Sequence, residues 1–221
     1  MFPDRMSQNL KLSVALVLGA VLVAVSLIAA SGSDEEPVSA AADTGSVLAE
    51  DSRLLSESDD GKVEIVEFLD FECEACLAFY PTLERIREEY GDQITIAIRY
   101  FPIPSHRNAQ IAAQTVEAAA QQGALEDMYM RMYETQTEWG ESQDSKEALF
   151  VSFARDLGLD MERFERDLKS AETIERVQSD QEAGVSLGVQ GTPTVFFNGE
   201  MLPGMPTYED LTSRIDAALA Q

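Results

Sequence analysis

Val63-Glu64-Ile65-Val66-Glu67-Phe68-Leu69, continuing into Asp70-Phe71-Glu72-Cys73-Glu74-Ala75-Cys76, is the stretch on which the architecture turns. Residues 63–69 are rich in branched and aromatic side chains, the composition of a strand. From about Ala75 to Tyr90 the period changes, with Leu77, Tyr80, Leu83 and Ile86 at helical spacing. Pro81 is expected to kink this helix and Gly91 to end it. The two cysteines therefore sit where a strand gives way to a helix.

That position has chemical consequences. The first turn of a helix leaves backbone N–H groups unpaired and carries partial positive charge. A thiolate there is stabilised, and the thiolate is the form that attacks disulfides. Three-residue spacing on a helix brings both sulfurs to one face, close enough to bridge. Cys73, at the tip, is expected to be the exposed nucleophile, and Cys76, one turn in, the buried resolving thiol. The chain has 2 cysteines, so no third thiol competes for a structural disulfide. A zinc site usually takes four Cys or His ligands, and Cys73, Cys76 and the single histidine, His106, fall short of that. An inert staple across so short a loop would remove little chain entropy.

Working outward, Ile94 to Phe101 reads as a second strand, ended by Pro102 and Pro104. Two strands around a helix make a βαβ unit with a parallel pair. From about Ser105 to Leu187 the pattern is helical, in segments near 108–122, 125–137, 146–157, 161–169 and 171–187. The stripe of Met128, Tyr129 and Met132 reads as core. Strand character returns at Thr194 to Asn198. Asn198-Gly199 then signals a tight hairpin into Glu200 to Leu202. Pro206 and Thr207 open a last amphipathic helix carrying Leu211, Ile215, Ala218 and Leu219. The order β-α-β, helical block, β-β-α predicts one α/β sheet with a helical insertion at about 105–187.

Upstream, Leu12 to Ala30 is an apolar run without charge. As a helix it would span about 28 Å, near the thickness of a bilayer core. Arg5 and Lys11 precede it and Asp34, Glu35 and Glu36 follow, which orients residues 1–11 to the cytoplasm and the rest outside. The run is read as a single-pass transmembrane signal anchor, with secretion after signal cleavage as the alternative. Residues 31–50, rich in Ser, Ala, Asp and Glu, read as a flexible acidic linker to a domain over 51–221. Either reading places that domain in an oxidising, extracytoplasmic compartment. Across the whole chain 40 Asp and Glu stand against 16 Lys and Arg, a net charge of −24. That excludes nucleic-acid binding, which needs clustered cations.

Two further features bear on the cysteines. Glu67 lies on the first strand between Val66 and Phe68. Buried, it would have a raised pKa and could exchange a proton with Cys76; otherwise it is an exposed strand-edge acid. Glu64 reads as the solvent-facing glutamate. Pro193 in Gly191-Thr192-Pro193-Thr194 precedes a strand, where a cis bond would leave the Thr192 peptide groups to pair with a substrate strand.

These residues resemble the DsbA-like branch of the thioredoxin superfamily, bacterial membrane-anchored or secreted. The resemblance runs from about Asp51 to the C-terminus. It is carried by Glu67-Phe68-Leu69-Asp70-Phe71-Glu72-Cys73-x-x-Cys76, Tyr100-Phe101-Pro102, His106, Gly188 to Thr194 and Phe197-Asn198-Gly199. It implies a thioredoxin fold with an inserted helical subdomain. It also implies a catalytic set of Cys73 as nucleophile, Cys76 as resolving thiol and Glu67 as buried acid. Pro193 would be the cis-proline and Thr192 the substrate-meeting residue. His106 is taken as a turn or helix-start residue.

The implied activity is thiol–disulfide exchange with exported, unfolded or cysteine-containing proteins, as a dithiol oxidase, with a reductase or isomerase as the alternative. A quinone-linked membrane partner would recycle it, and the redox-active disulfide would be its only cofactor. A tethered binding module regulated by its cysteines is the reading from another class. Many relatives carry Pro and then an aromatic or His between the cysteines. Glu74-Ala75 here, with Glu72, predicts like-charge opposition to the Cys73 thiolate and a weaker oxidant.

Overall fold

The computed structural model describes residues 47–59 and 61–221. Its centre is a five-stranded sheet in the order β1-β3-β2-β4-β5. The strands are β1 (Arg53–Ser56), β2 (Glu64–Leu69), β3 (Thr95–Tyr100), β4 (Thr194–Phe197) and β5 (Glu200–Met201). β2 lies in the middle, parallel to β3 and antiparallel to β4. Helix α1 (Glu74–Tyr90) joins β2 to β3 and runs through Pro81. Between β3 and β4 come α2 (Ala109–Ala120), α3 (Leu125–Glu134), the short α4 (Gln136–Trp139), α5 (Glu147–Asp156), α6 (Met161–Leu168) and α7 (Ala171–Ser186). Helix α8 (Tyr208–Leu219) closes the chain on a Thr207–Asp210 capping box. The expected element order stands, and the helix expected over 125–137 is divided into α3 and α4.

β1 was not expected from the sequence. It pairs with β3 along one edge, through a register shift between Leu54 and Ser56. A strand of four residues with adjacent leucines shows no alternation from which to read it. The hairpin at Asn198-Gly199 is present, with both residues at positive φ, 47° and 80°, as a type I′ turn needs.

Alternation along β2 divides the core. Ile65 and Leu69 face the larger cluster, filled by α1, α8 and the helical block, while Val66 and Phe68 face a smaller one with Ala97, Phe101, Val189 and Phe196. Val47 and Leu48, from the segment read as linker, pack on that second cluster. Helix α7 is held to the sheet by buried Asp180, which accepts from Arg99 Nε at 2.6 Å and from the backbone N–H of Tyr100 at 3.0 Å.

One glycine is fixed by this packing. A Cβ on Gly184 of α7 would stand 2.7 Å from Phe101 Cδ2 and 3.0 Å from Phe68 Cδ1, both buried rings. Gly184→Ala gains about 1 kcal/mol of helix propensity against overpacking of about 1–3 kcal/mol. Its midpoint in urea is expected to fall with an unchanged slope; an equal or higher midpoint would show that the rings move aside freely.

The readings of residues 1–11 as cytoplasmic, 12–30 as anchor and 31–46 as linker fall outside the described residues. Among the described residues no helix is long and apolar enough to cross a membrane.

Candidate active site

β2 delivers the chain to the site, and the loop of residues 70–73 turns it into α1. Asp70, itself buried, fixes this loop: Oδ1 accepts from Glu72 N at 2.8 Å, and Oδ2 accepts from Ile103 N at 2.9 Å and lies 2.7 Å from His106 Nδ1. Gln136 of α4 reaches in from the helical block, its Nε2 donating to Phe71 O at 2.7 Å and Cys73 O at 3.0 Å. The sequence reading gave neither residue a role. Asp70 stood inside the motif without any feature that marks a brace, and Gln136 is 63 residues from its partner. His106 is in a turn before α2, as expected, and its bond to Asp70 is the addition.

Cys73 occupies the N-cap position of α1 in extended conformation, φ −76° and ψ 122°. It is partly exposed, whereas Cys76 is buried, and both are free thiols here. The Cys73 thiol is pulled down to about 5, chiefly because the Cys76 thiol donates to it. Thr192 and the backbone N–H groups of Cys76 and Ala75 add to this, against the opposing effect of burial. Cys73 Sγ stands 3.4 Å from Thr192 O, to which a protonated thiol donates. The Thr192 hydroxyl has no other partner among the described residues and is the donor at hand for the thiolate. Cys76 is pushed well above its usual value, by burial first, then by holding its proton toward Cys73 and by the charge of Glu67.

Glu67 is 1% exposed, which removes the alternative of a solvent-facing strand-edge acid. It stands on the face of β2 that carries Ile65 and Leu69, in register with Ile98 of β3 and Val195 of β4. Burial, and after it the charge of Cys73, push its carboxyl up to about 8. Glu64 at the strand start is partly covered.

One expectation is corrected. Glu72 was read as a charge opposing the thiolate, but it is buried and its Oε2 accepts from Asn108 N at 2.5 Å, at the start of α2. Glu74 points to solvent, where water screens it.

The peptide bond between Thr192 and Pro193 is cis. Beside it opens a pocket of about 490 Å³ lined by Gln190, Thr192, Pro193, Met201 and Leu202 among others. Among the described residues no group of three or more His, Cys, Asp or Glu side chains is arranged to hold a metal ion. The site thus brings together all five residues singled out from the sequence: the two thiols, the acid behind them and the loop across from them.

Residues 64–216 match the model of the DSBA-like thioredoxin domain. Among curated proteins, the chain is 32% identical over 164 residues to a Na(+)/H(+) antiporter NhaA of Herminiimonas arsenicoxydans, covering 72% of this chain and 24% of that protein. The chain thus spans about a quarter of the length of this relative. It is 32% identical over 166 residues to a probable disulfide bond formation protein D of Bacillus anthracis, covering 73% and 76% of the two chains. Among solved structures, a thioredoxin-like oxidoreductase from Silicibacter pomeroyi superposes with a TM-score of 0.67 at 24% identity, over 81% of this chain and 98% of that one. BdbD from Bacillus subtilis superposes with a TM-score of 0.66 at 18% identity, over 77% and 94%. At these identities the two structures speak to the fold.

Proposed function

The chain belongs to the DsbA-like thioredoxin domain family of thiol:disulfide oxidoreductases, and on that premise we propose that it acts as a dithiol oxidase of exported proteins through Cys73 and Cys76. A substrate thiolate attacks Cys73 Sγ of the Cys73–Cys76 disulfide. The S–S bond breaks, and Cys76 leaves as a thiolate that takes a proton. A second substrate thiolate attacks the substrate sulfur of the mixed disulfide, and Cys73 leaves. Two electrons have then passed from the substrate dithiol to the pair, which a quinone-linked membrane partner reoxidises.

The observation that carries this reading is the set of donors converging on Cys73 Sγ: the Cys76 thiol and the N–H groups of Ala75 and Cys76 at the tip of α1. They stabilise Cys73 as a thiolate, hence as a leaving group, and so favour the reduced form of the pair. A pair whose reduced form is favoured oxidises others. The burial of Glu67 and the action of its charge on Cys76 support it as the source of the proton that Cys76 takes, and Thr192 and Pro193 line the pocket that would receive the substrate segment. The apolar run 12–30 supports a membrane-tethered, extracytoplasmic placement, which would keep the pair beside its recycling partner.

Redox titration against glutathione decides the direction. A potential nearer to about −120 mV is expected, and one near about −270 mV would reverse the electron flow to that of a reductase.

A further inference from the structure

Three buried polar atoms behind Cys76 have no hydrogen-bond partner among the described residues: Glu67 Oε1, Tyr129 Oη and Tyr133 Oη. Leaving a buried polar atom unpaired costs about 1–3 kcal/mol, so three in one place ask for an explanation. They do lie in one place. The rings of Tyr129 and Tyr133, one turn apart on α3, have centroids 5.2 Å apart. The charge of Glu67 acts on both phenols, and that of Cys76 on Tyr133. Helix α1 supplies the opposite wall. Cys76, Tyr80 and Glu84 recur every fourth residue and so share one face. The Tyr80 ring stacks on Tyr133 at 5.0 Å and meets Tyr129 at 5.6 Å. Tyr80 is partly exposed, so this seam of packed rings reaches the surface.

Turnover gives such a seam a task. If Glu67 protonates Cys76 each time the disulfide opens, it must recover a proton each time, yet it is buried. Burial pushes both phenols well above their usual range, so they stay neutral and can pass a proton only by hydrogen-bond exchange.

We propose that Glu67 Oε1 and the hydroxyls of Tyr129 and Tyr133 enclose an internal water, and that this cluster carries a proton from solvent, past Tyr80, to Glu67 and so to Cys76. A buried water of this kind makes about three hydrogen bonds to otherwise unpaired groups, and these three atoms can supply them. No electrons move: one O–H bond forms on the carboxylate as another breaks on the water, which is refilled along the chain of hydroxyls. Tyr129 and Tyr133 are positioning residues, acting on Cys76 through Glu67. The titratable groups facing Glu67 are Cys73 and Cys76 from α1 and Tyr129 and Tyr133 from α3. Its strand neighbours Ile98 and Val195 carry no charge.

The inference rests on the oxidoreductase reading, and one experiment separates the two. Reduction of the Cys73–Cys76 disulfide by a small dithiol is followed by stopped flow across pH in wild-type protein, Tyr129→Phe, Tyr133→Phe and the double variant, with Tyr208→Phe at the surface as control. Each Phe keeps its ring and loses only the hydroxyl. Single variants are expected to slow about tenfold at pH 7. The double variant should be little slower than either single, because residues acting as a unit are not additive. The pH profile should shift, the solvent deuterium isotope effect should rise, and the equilibrium constant with glutathione should stay within about twofold. A merely structural role would move melting temperature and leave the pH profile and isotope effect in place. Rates and profiles of all three variants within about twofold of wild type would overturn the proposal while leaving the oxidoreductase reading intact. A wild-type disulfide that no dithiol reduces would overturn both. A high-resolution crystal structure should show one ordered water bonded to all three atoms, and a dry site there would also count against the proposal.

Discussion

Replacing Cys73 with serine is expected to abolish disulfide exchange, by at least about a thousandfold, or roughly 4 kcal/mol of barrier. The effect is electronic. With its thiol pulled down to about 5, Cys73 is almost wholly thiolate at pH 7. An ordinary cysteine, near 8.5, is only about 3% thiolate there. The donors at the tip of α1 therefore raise the reactive fraction by about 30-fold, and a serine hydroxyl, neutral at this pH, makes no use of them. Cys76→Ser should behave differently. It keeps the Cys73 thiolate but removes the resolving thiol, so when the thiolate attacks a disulfide-bonded substrate and one substrate sulfur leaves, the mixed disulfide on Cys73 should accumulate and be visible on a non-reducing gel. Cys73→Ser protein that still oxidises a reduced, unfolded substrate would sink the reading, and so would a Cys76→Ser protein that traps nothing. Retained biological activity without either cysteine would favour a tethered binding module.

The second large effect is on stability, and its sign follows from burial. The Glu67 carboxyl is held at about 8 in the folded chain against an ordinary 4.5. Folding therefore costs nothing through this group below about pH 4.5, where both states are protonated. The cost grows as the unfolded chain ionises and the folded one does not, and it levels off above about pH 8. The full penalty is on the order of 4 kcal/mol. Oxidised protein, which keeps the burial but loses the Cys73 charge, should thus lose stability as pH rises above about 4.5, and Glu67→Gln should flatten that slope and overtake the wild type at the alkaline end. Cys73 works in the opposite sense in the reduced protein. Its lowered pKa stabilises the fold above about pH 9, and that stabilisation is lost as pH falls to about 5. Because Cys73 is partly exposed, solvent screening reduces it to about 2 kcal/mol. The reduced protein should accordingly show a shallower slope than the oxidised one. Chemical denaturation at fixed pH values in both redox states measures this. Identical slopes in wild type and Glu67→Gln would mean that the carboxyl is not held neutral.

Both effects begin in a few residues of sequence, but they were legible to different degrees. The strand-to-helix switch at residues 69–76 was plain, because a run of branched and aromatic residues followed by apolar residues at helical spacing needs no tertiary context. That switch, with only two thiols in the chain, settled where the reactive pair stands and which cysteine is exposed. The helical block and the Asn198-Gly199 turn were equally local. The seam behind Cys76 was not legible: Tyr129 reads as core because it is core, and periodicity places a ring without saying what its hydroxyl meets. Glu72 misled for the same reason. Its place next to Cys73 in the chain suggested a repulsive charge, whereas folding turned its carboxylate onto Asn108.

The sequence by itself determined the element order, the position of Cys73 and Cys76 at a helix start, and the approach of a Thr-Pro loop to a strand, since each depends on neighbours within a few residues. Only the tertiary structure decided that Glu67 is buried, that Asp70 and Gln136 brace the cysteine loop, that β1 completes the sheet, and which charges reach the thiolate. Those facts depend on contacts between segments far apart in the chain, and burial, which raises the pKa of Glu67 and of Cys76, arises only when the segments meet.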